Sequence, residues 1–432
     1  MDIFNYPSVE AEAKVRAITD RGLGYTAEDE KGVIDILEAV RTGGDEALLH
    51  YIRRFDAPEM TLSQLVVTEA EIDEAVASVD DDFMKALDLA ATQVESFHRK
   101  QLENSWIDMP RKGVTLGQVV NPVDAAGVYV PGATGGMTPL VSSVLMGAIP
   151  AKIAGVKHIA MVTPPMADGT VNKHLLAAAR RTGVDVVYKA GSAWAVAALA
   201  YGTESVGKVD VIVGPGNIYV TLAKKLVSGT VGIDMIAGPS EILAIADESA
   251  NPVWAAADLL SQAEHDPLAS SIFVTTDAEL AKKVRAEVDR QLEELPRKEI
   301  AGASIRDYGA IMVTDSIESA CELANRLAPE HLELLVKAPF EVVGMIRNAG
   351  AIFMGHYTPE PMGDYVAGPN HVLPTAGTAR FSSALSVENF TKKSSLICYS
   401  EDAFRKEAEE VMLLAETEGL SGHARSVKVR VS

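Results

Sequence analysis

Cysteine is scarce in this chain, which has only Cys321 and Cys398 among 432 residues. Neither cysteine belongs to a CxxC or CxxH pattern, and both stand beside apolar residues. Two cysteines are too few for a disulfide framework or for a zinc finger built from thiolates. We therefore interpret both as small apolar side chains that are buried in the interior.

Long apolar runs and basic clusters are also lacking. No stretch approaches 20 uninterrupted apolar residues, so no transmembrane helix is predicted. The first residues, MDIFNYPSVEAEAK, lack the basic and then apolar segments of a secretory signal, which predicts a cytoplasmic protein. Lys and Arg number 39 against 60 Asp and Glu, a net charge of -21. This balance argues against nucleic acid or an anionic membrane as partner, because phosphate contact needs clustered cations.

The composition is otherwise that of an ordinary globular protein, with 47% hydrophobic and 23% charged residues. A chain of 432 residues is longer than most domains with a single hydrophobic core, so two or more domains are expected. The first hundred residues are dominated by helical patterns at 26–55, with a break at Gly43-Gly44, and at 69–99, split near Asp80.

From about residue 114 the pattern changes to short β-branched runs that alternate with Ala-rich helices. Strands are predicted at 125–132, 157–163, 185–188, 209–213, 241–246, 271–275, 310–314, 332–336 and 351–354. Helices are predicted at 142–154, 172–182, 193–201, 218–227, 252–265, 278–295, 316–326 and 340–348. Such alternation indicates βαβ units and buried parallel sheets, hence two α/β domains with the smaller inserted into the larger. Residues from 391 onward predict a helical tail.

The segment from Met362 to Thr375, MGDYVAGPNHVLPT, places Asp364, Tyr365 and His371 among glycines and prolines. Regular helix or strand is not expected there, because such residues favour a loop that holds side chains in fixed places. The alternative is an ordinary turn. Just upstream, Glu360 stands between two prolines.

Three further polar motifs stand apart in the chain. In SQAEHDP, Gln262 and His265 share a helix face and could converge on one metal ion, although glutamine is a poor zinc ligand by general rules. The alternative is that His265 only caps the helix. In APEHLE, Glu330 beside His331 offers an acid/base pair, or else a surface Glu next to a capping His. In EGLSGH, His423 follows a helix that is broken by glycine. It is a candidate site residue, and the alternative is a solvated residue of a charged tail.

Together these motifs suit a metal with nitrogen and oxygen ligands, and zinc is the leading candidate. HExxH, EF-hand and GxxxxGK[ST] patterns are missing from the sequence. The GPGN at 214–217 is only half of a dinucleotide signature and does not by itself name a cofactor.

The motifs SQAEHDP, APEHLEL, GDYVAGPNHVLPT, EGLSGHAR, VGPGNIYVT and IAGPSEIL resemble those of the histidinol dehydrogenases, over roughly residues 25–430. Members of this family are homodimers that use zinc and NAD to oxidise L-histidinol to L-histidine through histidinaldehyde, the last steps of histidine biosynthesis. The resemblance implies two incomplete Rossmann-like domains. These would be a larger α/β domain at 25–127 and 239–385, and an inserted NAD-contacting domain at 128–238. An N-terminal segment (1–24) and a helical C-terminal tail (386–432) that reaches the partner subunit complete the chain.

The resemblance also implies roles for individual residues. His331 would be the general base, and Glu330 would activate the water that hydrates the aldehyde. The zinc ligands would be Gln262, His265, Asp364 and, from the tail of the other subunit, His423. Substrate contacts would come from these residues together with Ser240, Glu330, Glu360, Tyr365, His371 and Glu418. The NAD contacts would be Tyr129, Trp194 and Asn217.

Two features depart from the family pattern, and both bear on dinucleotide binding. The loop at 133–139 is longer, and Trp194 stands where the family usually has a glutamine. One alternative is a paralogue that oxidises another small primary alcohol, such as a sulfonated diol. Glu360 argues against it, because a carboxylate would repel an anionic substrate. A second alternative, a non-enzymatic metal-binding or scaffold protein, is disfavoured by Glu330 and His331 beside a full set of ligands.

Overall fold

The structure is a computed structural model that describes residues 1–22, 24–132 and 139–432. The loop expected to be longer than in the family therefore lies, except for Pro139, outside the described residues. The chain divides into two compact units: the first comprises residues 1–101 and 123–390, and the second residues 102–122 and 391–432.

The helices and strands follow in chain order. The strands are β1 (Ile3–Asn5), β2 (Trp106–Arg111), β3 (Val114–Pro122), β4 (Ala125–Tyr129), β5 (His158–Thr163), β6 (Val186–Lys189), β7 (Val211–Val213), β8 (Gly232–Ile233), β9 (Glu241–Ala246), β10 (Ser270–Thr275), β11 (Ala310–Val313), β12 (His331–Leu335), β13 (Ala351–Met354) and β14 (Thr391–Tyr399). The helices are α1 (Val9–Thr19), α2 (Ala27–Phe55), α3 (Glu69–Ser78), α4 (Asp81–His98), α5 (Val141–Ala154), α6 (Lys173–Thr182), α7 (Ser192–Tyr201), α8 (Ile218–Val227), α9 (Pro252–Ala263), α10 (Ala278–Leu292), α11 (Lys298–Tyr308), α12 (Ile317–Leu327), α13 (Pro339–Val342), α14 (Glu360–Tyr365), α15 (Glu401–Thr417) and α16 (Ser421–Val431).

The first unit contains two parallel sheets, which confirms the predicted α/β class. One sheet has six strands in the order β1-β11-β10-β9-β12-β13, and the other has five in the order β6-β5-β4-β7-β8. All the pairings recorded within both are parallel. Their central strands are buried on both faces, which explains why they read as continuous apolar runs.

The N-terminal helices begin and break where their sequence predicts. The Thr26 hydroxyl accepts a hydrogen bond from the Asp29 amide, and the Asp29 carboxylate accepts one from the Thr26 amide, a capping box. Gly44, at φ 53° and ψ -137°, interrupts α2 at the expected glycine pair. Asp80 caps α4 by accepting from the amide of Phe83, so the split between α3 and α4 is confirmed.

The second unit corrects the prediction for the tail. Residues 391–399 form β14, which pairs antiparallel with β3 along its whole length, and β3 pairs with β2. The expectation of helix from residue 391 is therefore wrong for this segment, whereas α15 and α16 are helical as predicted. A strand whose partner lies about 270 to 285 residues away in the sequence leaves little trace in the local pattern.

The two cysteines differ. Cys321 is buried, as expected, but Cys398 lies on β14 and is exposed, so the interior location predicted for Cys398 is wrong.

Helix α13 is shorter than predicted, because the chain tightens into a 3-10 turn at Val343–Met345. Within the described parts of the chain, no helix has both the length and the apolar character needed to cross a membrane.

Candidate active site

The Glu330-His331 pair stands at the amino end of β12, beside the amino end of β9. Helix α12 ends at Leu327 with Ala328 in the left-handed region at φ 51°. Pro329 cannot continue the helix, so the chain turns directly into the strand. Because His331 lies opposite Ile242 in the parallel register, the dipeptide meets the main chain of Glu241.

The imidazole of His331 is held in one tautomer. Its Nδ1 atom lies 2.9 Å from the carbonyl oxygen of Glu241. Because a carbonyl only accepts, Nδ1 carries the proton and Nε2 keeps its lone pair. The Nε2 atom lies 3.8 Å from Oε1 of Glu360. Burial lowers the pKa of His331 to about 4, so the ring is neutral at pH 7.

The carboxyl group of Glu330 is also held by Glu241. Oε2 of Glu330 accepts a hydrogen bond of 2.9 Å from the Glu241 amide and lies 3.6 Å from Nδ1 of His331. Burial, helped by the nearby carboxylates of Glu241 and Asp364, raises the pKa of Glu330 well above its usual value. This pair is therefore a buried carboxyl group and a neutral imidazole, the components of acid/base catalysis.

The segment that was expected to be irregular begins as a helix. Residues 360–365 form the short helix α14, so the prediction of no regular structure is wrong there, while residues 366–375 contain no helix or strand. The helix places Glu360 and Asp364 one turn apart on one face. Its first amide, that of Glu360, donates to Oε1 of Glu333 at 3.1 Å.

The carboxyl groups of α14 have opposite pKa shifts. Burial and the negative charge of Asp364 raise the pKa of Glu360 to about 8. For Asp364, burial acts in the same direction, but the neighbouring imidazole of His371, whose Nδ1 lies 3.6 Å from Oδ1, outweighs it and lowers the pKa. At neutral pH the site thus combines one ionised and one largely protonated carboxyl group.

Three of these side chains offer ligand atoms close enough to share an ion. One nitrogen of His331 and one oxygen each from Glu360 and Asp364 lie within 4.8 Å of one another. Asp364 is the member of this group for which the sequence predicted a ligand role. His331 and Glu360 were predicted to act on the substrate instead.

Gln262 supplies a further observation that points to a ligand. Gln262 is 1% exposed, and neither polar atom of its amide has a hydrogen-bond partner among the described residues. The amide nevertheless lies close enough to Glu360 to lower the pKa of that carboxyl group. An unsatisfied buried amide costs about 1–3 kcal/mol, so this one suits a bound ion or substrate.

His265 follows Gln262 at the end of α9, and its amide donates to the Gln262 carbonyl oxygen at 3.1 Å. Its side chain is exposed, and it is near enough to His331 to contribute to lowering the pKa of that ring. Gln262, His265 and Asp364 therefore lie around His331 in the first unit.

A cavity of about 350 Å³ adjoins these groups and is lined by His331, Asp364 and His371, with Phe353 and Leu373 among its apolar walls. Its volume suits a small-molecule substrate. Ser240 immediately precedes β9 at the same end of the sheet, and its carbonyl accepts from the Ser270 amide. Tyr365 is 59% exposed at the end of α14.

Glu418 and His423 belong to the second unit. Glu418 ends α15, its amide donating to the Leu414 carbonyl oxygen, and His423 lies in the first turn of α16. Both side chains are exposed.

The three residues expected to contact NAD line one cavity of about 600 Å³ beside the five-stranded sheet. The Tyr129 hydroxyl accepts from the Ser192 amide at 2.9 Å, and Asn217 caps α8. Trp194 stacks on Tyr51 and Phe55, with ring centroids 5.7 and 5.3 Å away. The indole therefore forms part of an aromatic wall.

Sequence reasoning missed two acidic residues. Glu241 holds the Glu330-His331 pair, and the signal for it was a charged residue at the start of the apolar strand EILAIA. Asp56 follows α2 and lines the larger cavity; its Oδ2 is buried and has no hydrogen-bond partner among the described residues. Burial raises the pKa of Asp56 to about 7.

Comparison with known proteins agrees with the family resemblance of the sequence motifs. The family model described as histidinol dehydrogenase matches residues 21–431. The chain is 56% identical over 424 residues to a histidinol dehydrogenase of Desulfotalea psychrophila, an alignment that covers 98% of each protein. It is 54% identical over 403 residues to that of Carboxydothermus hydrogenoformans, covering 93% of this chain and 94% of the relative. A crystal structure of histidinol dehydrogenase from Elizabethkingia anophelis superposes with a TM-score of 0.92 at 37% identity, covering 100% of this chain and 98% of that one.

Proposed function

Since the chain belongs to the histidinol dehydrogenase family, we propose that it oxidises L-histidinol to L-histidine through L-histidinaldehyde, with NAD+ accepting a hydride in each of two steps. The observation that carries the proposal is the buried Glu330-His331 pair held by the main chain of Glu241. The reaction would complete histidine biosynthesis. That the protein works in the cytoplasm stays a prediction from the sequence.

The first step removes a proton and a hydride from the alcohol. Nε2 of His331 is unprotonated and faces the cavity wall formed by α14, so it accepts the hydroxyl proton while the carbon-bound hydrogen leaves as hydride to NAD+. The hydrogen bond from Nδ1 to Glu241 stabilises the charge that the ring then gains.

The second step requires water. Ionised Glu330 accepts a proton from a water molecule whose oxygen adds to the aldehyde carbon, while the proton taken by Nε2 of His331 in the first step passes to the carbonyl oxygen. The hydrate then loses a hydroxyl proton to Nε2 of His331 and a hydride to a second NAD+. The raised pKa of Glu330 makes its ionised form a stronger base than an exposed glutamate. Protonated Glu360 is suited to a hydrogen bond with the imidazole of the substrate.

For the metal, we propose zinc held by Gln262, His265 and Asp364, with His423 donated by a second subunit. The buried amide of Gln262, which has no hydrogen-bond partner in the part of the chain that the structure describes, and the carboxylate of Asp364 fit an ion with nitrogen and oxygen ligands. The chemistry such an ion supplies is orientation of the substrate and polarisation of its oxygen.

For the dinucleotide, we propose the cavity that Tyr129, Trp194 and Asn217 line. Two buried polar atoms in its walls, Oδ2 of Asp56 and Nε1 of Trp194, have no hydrogen-bond partner among the described residues. Aromatic rings and unsatisfied polar atoms together suit a ligand with both flat and hydroxylated parts.

We also propose a homodimer in which Glu418 and His423 of one subunit complete the site of the other. The second unit supports this because large apolar side chains stand exposed on its strands and helices, where a partner would cover them. These residues are Ile107, Met109, Ile397, Leu413 and Leu414, between 64% and 75% exposed.

A second candidate, oxidation of a sulfonated diol by a paralogue, is disfavoured by the charge of the site. Among the described residues that line the cavity at His331 there is no Lys or Arg. A sulfonate would meet the carboxylate of Asp364 with no Lys or Arg side chain in this lining to pair with it, whereas the neutral or cationic groups of histidinol meet no such repulsion.

The test is NADH formation from L-histidinol by the purified protein, with and without a chelator. We expect two NADH for each histidinol consumed, activity lost on chelation and activity restored by zinc. Absence of turnover with histidinol, together with turnover of another primary alcohol, would overturn the proposed substrate.

A further inference from the structure

Glu241 organises the catalytic pair through three hydrogen bonds. Its amide donates to Oε2 of Glu330 at 2.9 Å, and its carbonyl oxygen accepts from Nδ1 of His331 at 2.9 Å. Its own carboxylate accepts from the amide of Glu330 at 3.3 Å. The placement of both catalytic groups therefore depends on where Glu241 lies.

The carboxylate of Glu241 is buried, and its ion-pair partner is Arg21. Nη2 of Arg21 lies 2.5 Å from Oε1 of Glu241, and the side chains are only 3% and 8% exposed. Nη1 of the same guanidinium donates to the carbonyl oxygen of Ile18 at 2.8 Å. Arg21 is thus fixed at the end of the N-terminal segment.

The charge around Glu241 makes this partner necessary. Within the described residues, Arg21 is the cation that forms an ion pair with Glu241. The carboxyl group of Glu330 lies beside Glu241, and Glu360 and Asp364 are near enough to Glu330 to raise its pKa. Burial raises the pKa of Glu241 above its usual value, and the guanidinium of Arg21 counteracts part of this rise. A buried carboxylate that loses its partner must take up a proton or move toward water.

We propose that Arg21 is a positioning residue for the dehydrogenase reaction, holding Glu330 and His331 in reactive geometry by keeping the Glu241 carboxylate paired and in place. The inference rests on the proposed function, since it assigns Glu330 and His331 the roles given above. Among the described residues, Arg21 forms no hydrogen bond with Glu330 or His331.

The test compares Arg21→Met, Glu241→Gln and the double variant in the full-length, zinc-loaded enzyme. For Arg21→Met we expect kcat to fall on the order of 10- to 100-fold, with KM for histidinol nearly unchanged, because misplaced catalytic groups lower turnover more than binding. The double variant should recover most of the loss, since a glutamine keeps an acceptor for the Glu330 amide and has no charge to be paired.

Arg326→Met is the matched control. Arg326 also holds the N-terminal segment, through an ion pair with Glu12 at 2.6 Å, and among the described residues it forms no hydrogen bond or ion pair with Glu241. A purely structural role for Arg21 predicts equal loss of activity in the two variants and no recovery in the double variant. Either that pattern or full kcat in Arg21→Met would overturn the proposal.

A readout independent of activity is the ¹⁵N NMR signal of the His331 ring, assigned by its loss in His331→Asn. The signal of Nδ1 should shift in Arg21→Met and return in the double variant, and an unchanged signal in Arg21→Met would contradict the inference. Failure of the wild-type protein to oxidise histidinol would instead count against the proposed function, because the NMR comparison needs no turnover.

Discussion

Nδ1 of His331 donates to the main-chain carbonyl oxygen of Glu241 across 2.9 Å, and this hydrogen bond decides which ring nitrogen is free to act as a base. Because the acceptor belongs to the backbone of β9, the tautomer is set by the pairing of two neighbouring strands rather than by a movable side chain. The free Nε2 then faces α14, where Glu360 and Asp364 lie.

Replacing His331 by asparagine should lower kcat by about 10²- to 10⁴-fold while leaving the zinc content unchanged. The amide of asparagine still has a donor for the Glu241 carbonyl oxygen but no base in place of Nε2. Steady-state kinetics and metal analysis of the same preparation check this. His356→Asn, outside the site, is the control, and loss of zinc from His331→Asn would show that His331 is a ligand instead.

Replacing Gln262 by methionine should separate stability from metal binding. In the zinc-free protein we expect the free energy of unfolding to stay equal or to rise by about 1–3 kcal/mol, because an unsatisfied amide is removed from the interior. The rise in Tm that zinc gives the wild-type protein should disappear. Thermal unfolding with and without zinc measures both effects, and a full zinc-dependent rise in the variant would exclude Gln262 as a ligand.

Mixing His265→Asn subunits with His423→Asn subunits should restore activity that neither variant has alone. A heterodimer would contain one site with every ligand intact, so a random mixture should reach about a quarter of wild-type activity. Activity assays on tagged, purified heterodimers check the prediction. Inactive heterodimers would show that His423 does not complete the site of the other subunit.

Asp56→Asn should change how stability depends on pH. Burial raises the pKa of Asp56 to about 7, so the folded protein binds this proton more tightly than the unfolded chain does. The contribution of Asp56 to stability is therefore fully present below pH 4 and is lost as pH rises toward and through 7. Relative to wild type, Asp56→Asn should gain about 1–2 kcal/mol between pH 5 and pH 8, after allowance for solvent screening.

Urea unfolding at the two pH values measures this gain. Asp35→Asn, on the exposed face of the same helix α2, is the matched control and should show no comparable gain. Equal pH dependence of wild type and Asp56→Asn would contradict the assignment.

Gly368→Ala should destabilise the segment that holds His371. Gly368 has φ 108°, and a Cβ atom there would lie 2.7 Å from the carbonyl oxygen of Gln93. We expect a loss of about 2–4 kcal/mol in the free energy of unfolding, together with reduced turnover. Gly229→Ala is the control, since its φ of 95° gives similar strain but no atom lies within 4 Å. Equal losses in the two variants would mean that the contact with Gln93 does not matter.

Much of the fold follows from local patterns. The alternation of short β-branched runs with Ala-rich helices predicted the parallel sheets, and Thr26 and Asp80 marked helix starts that the structure confirms. The segments that escaped prediction include β1, α11 and the strands β2 and β3. Strands β2 and β3 pair with each other, and β3 pairs with β14. Polar and apolar residues do not alternate strongly in either strand, and every residue of β2 is exposed, so the local pattern does not mark them as strands.

The candidate site also depends partly on local sequence and partly on tertiary structure. The residue types in SQAEHDP, APEHLEL and GDYVAGPNHVLPT determined which side chains could bind a metal or move a proton, because that capacity belongs to the side chain itself. Tertiary structure alone decided that Arg21, Glu241 and Glu330 form one buried chain of contacts, and that Asp56 lines the cavity with Trp194. The partner of a buried polar group is set by which strands and helices pack together, and no pattern within a single segment records it.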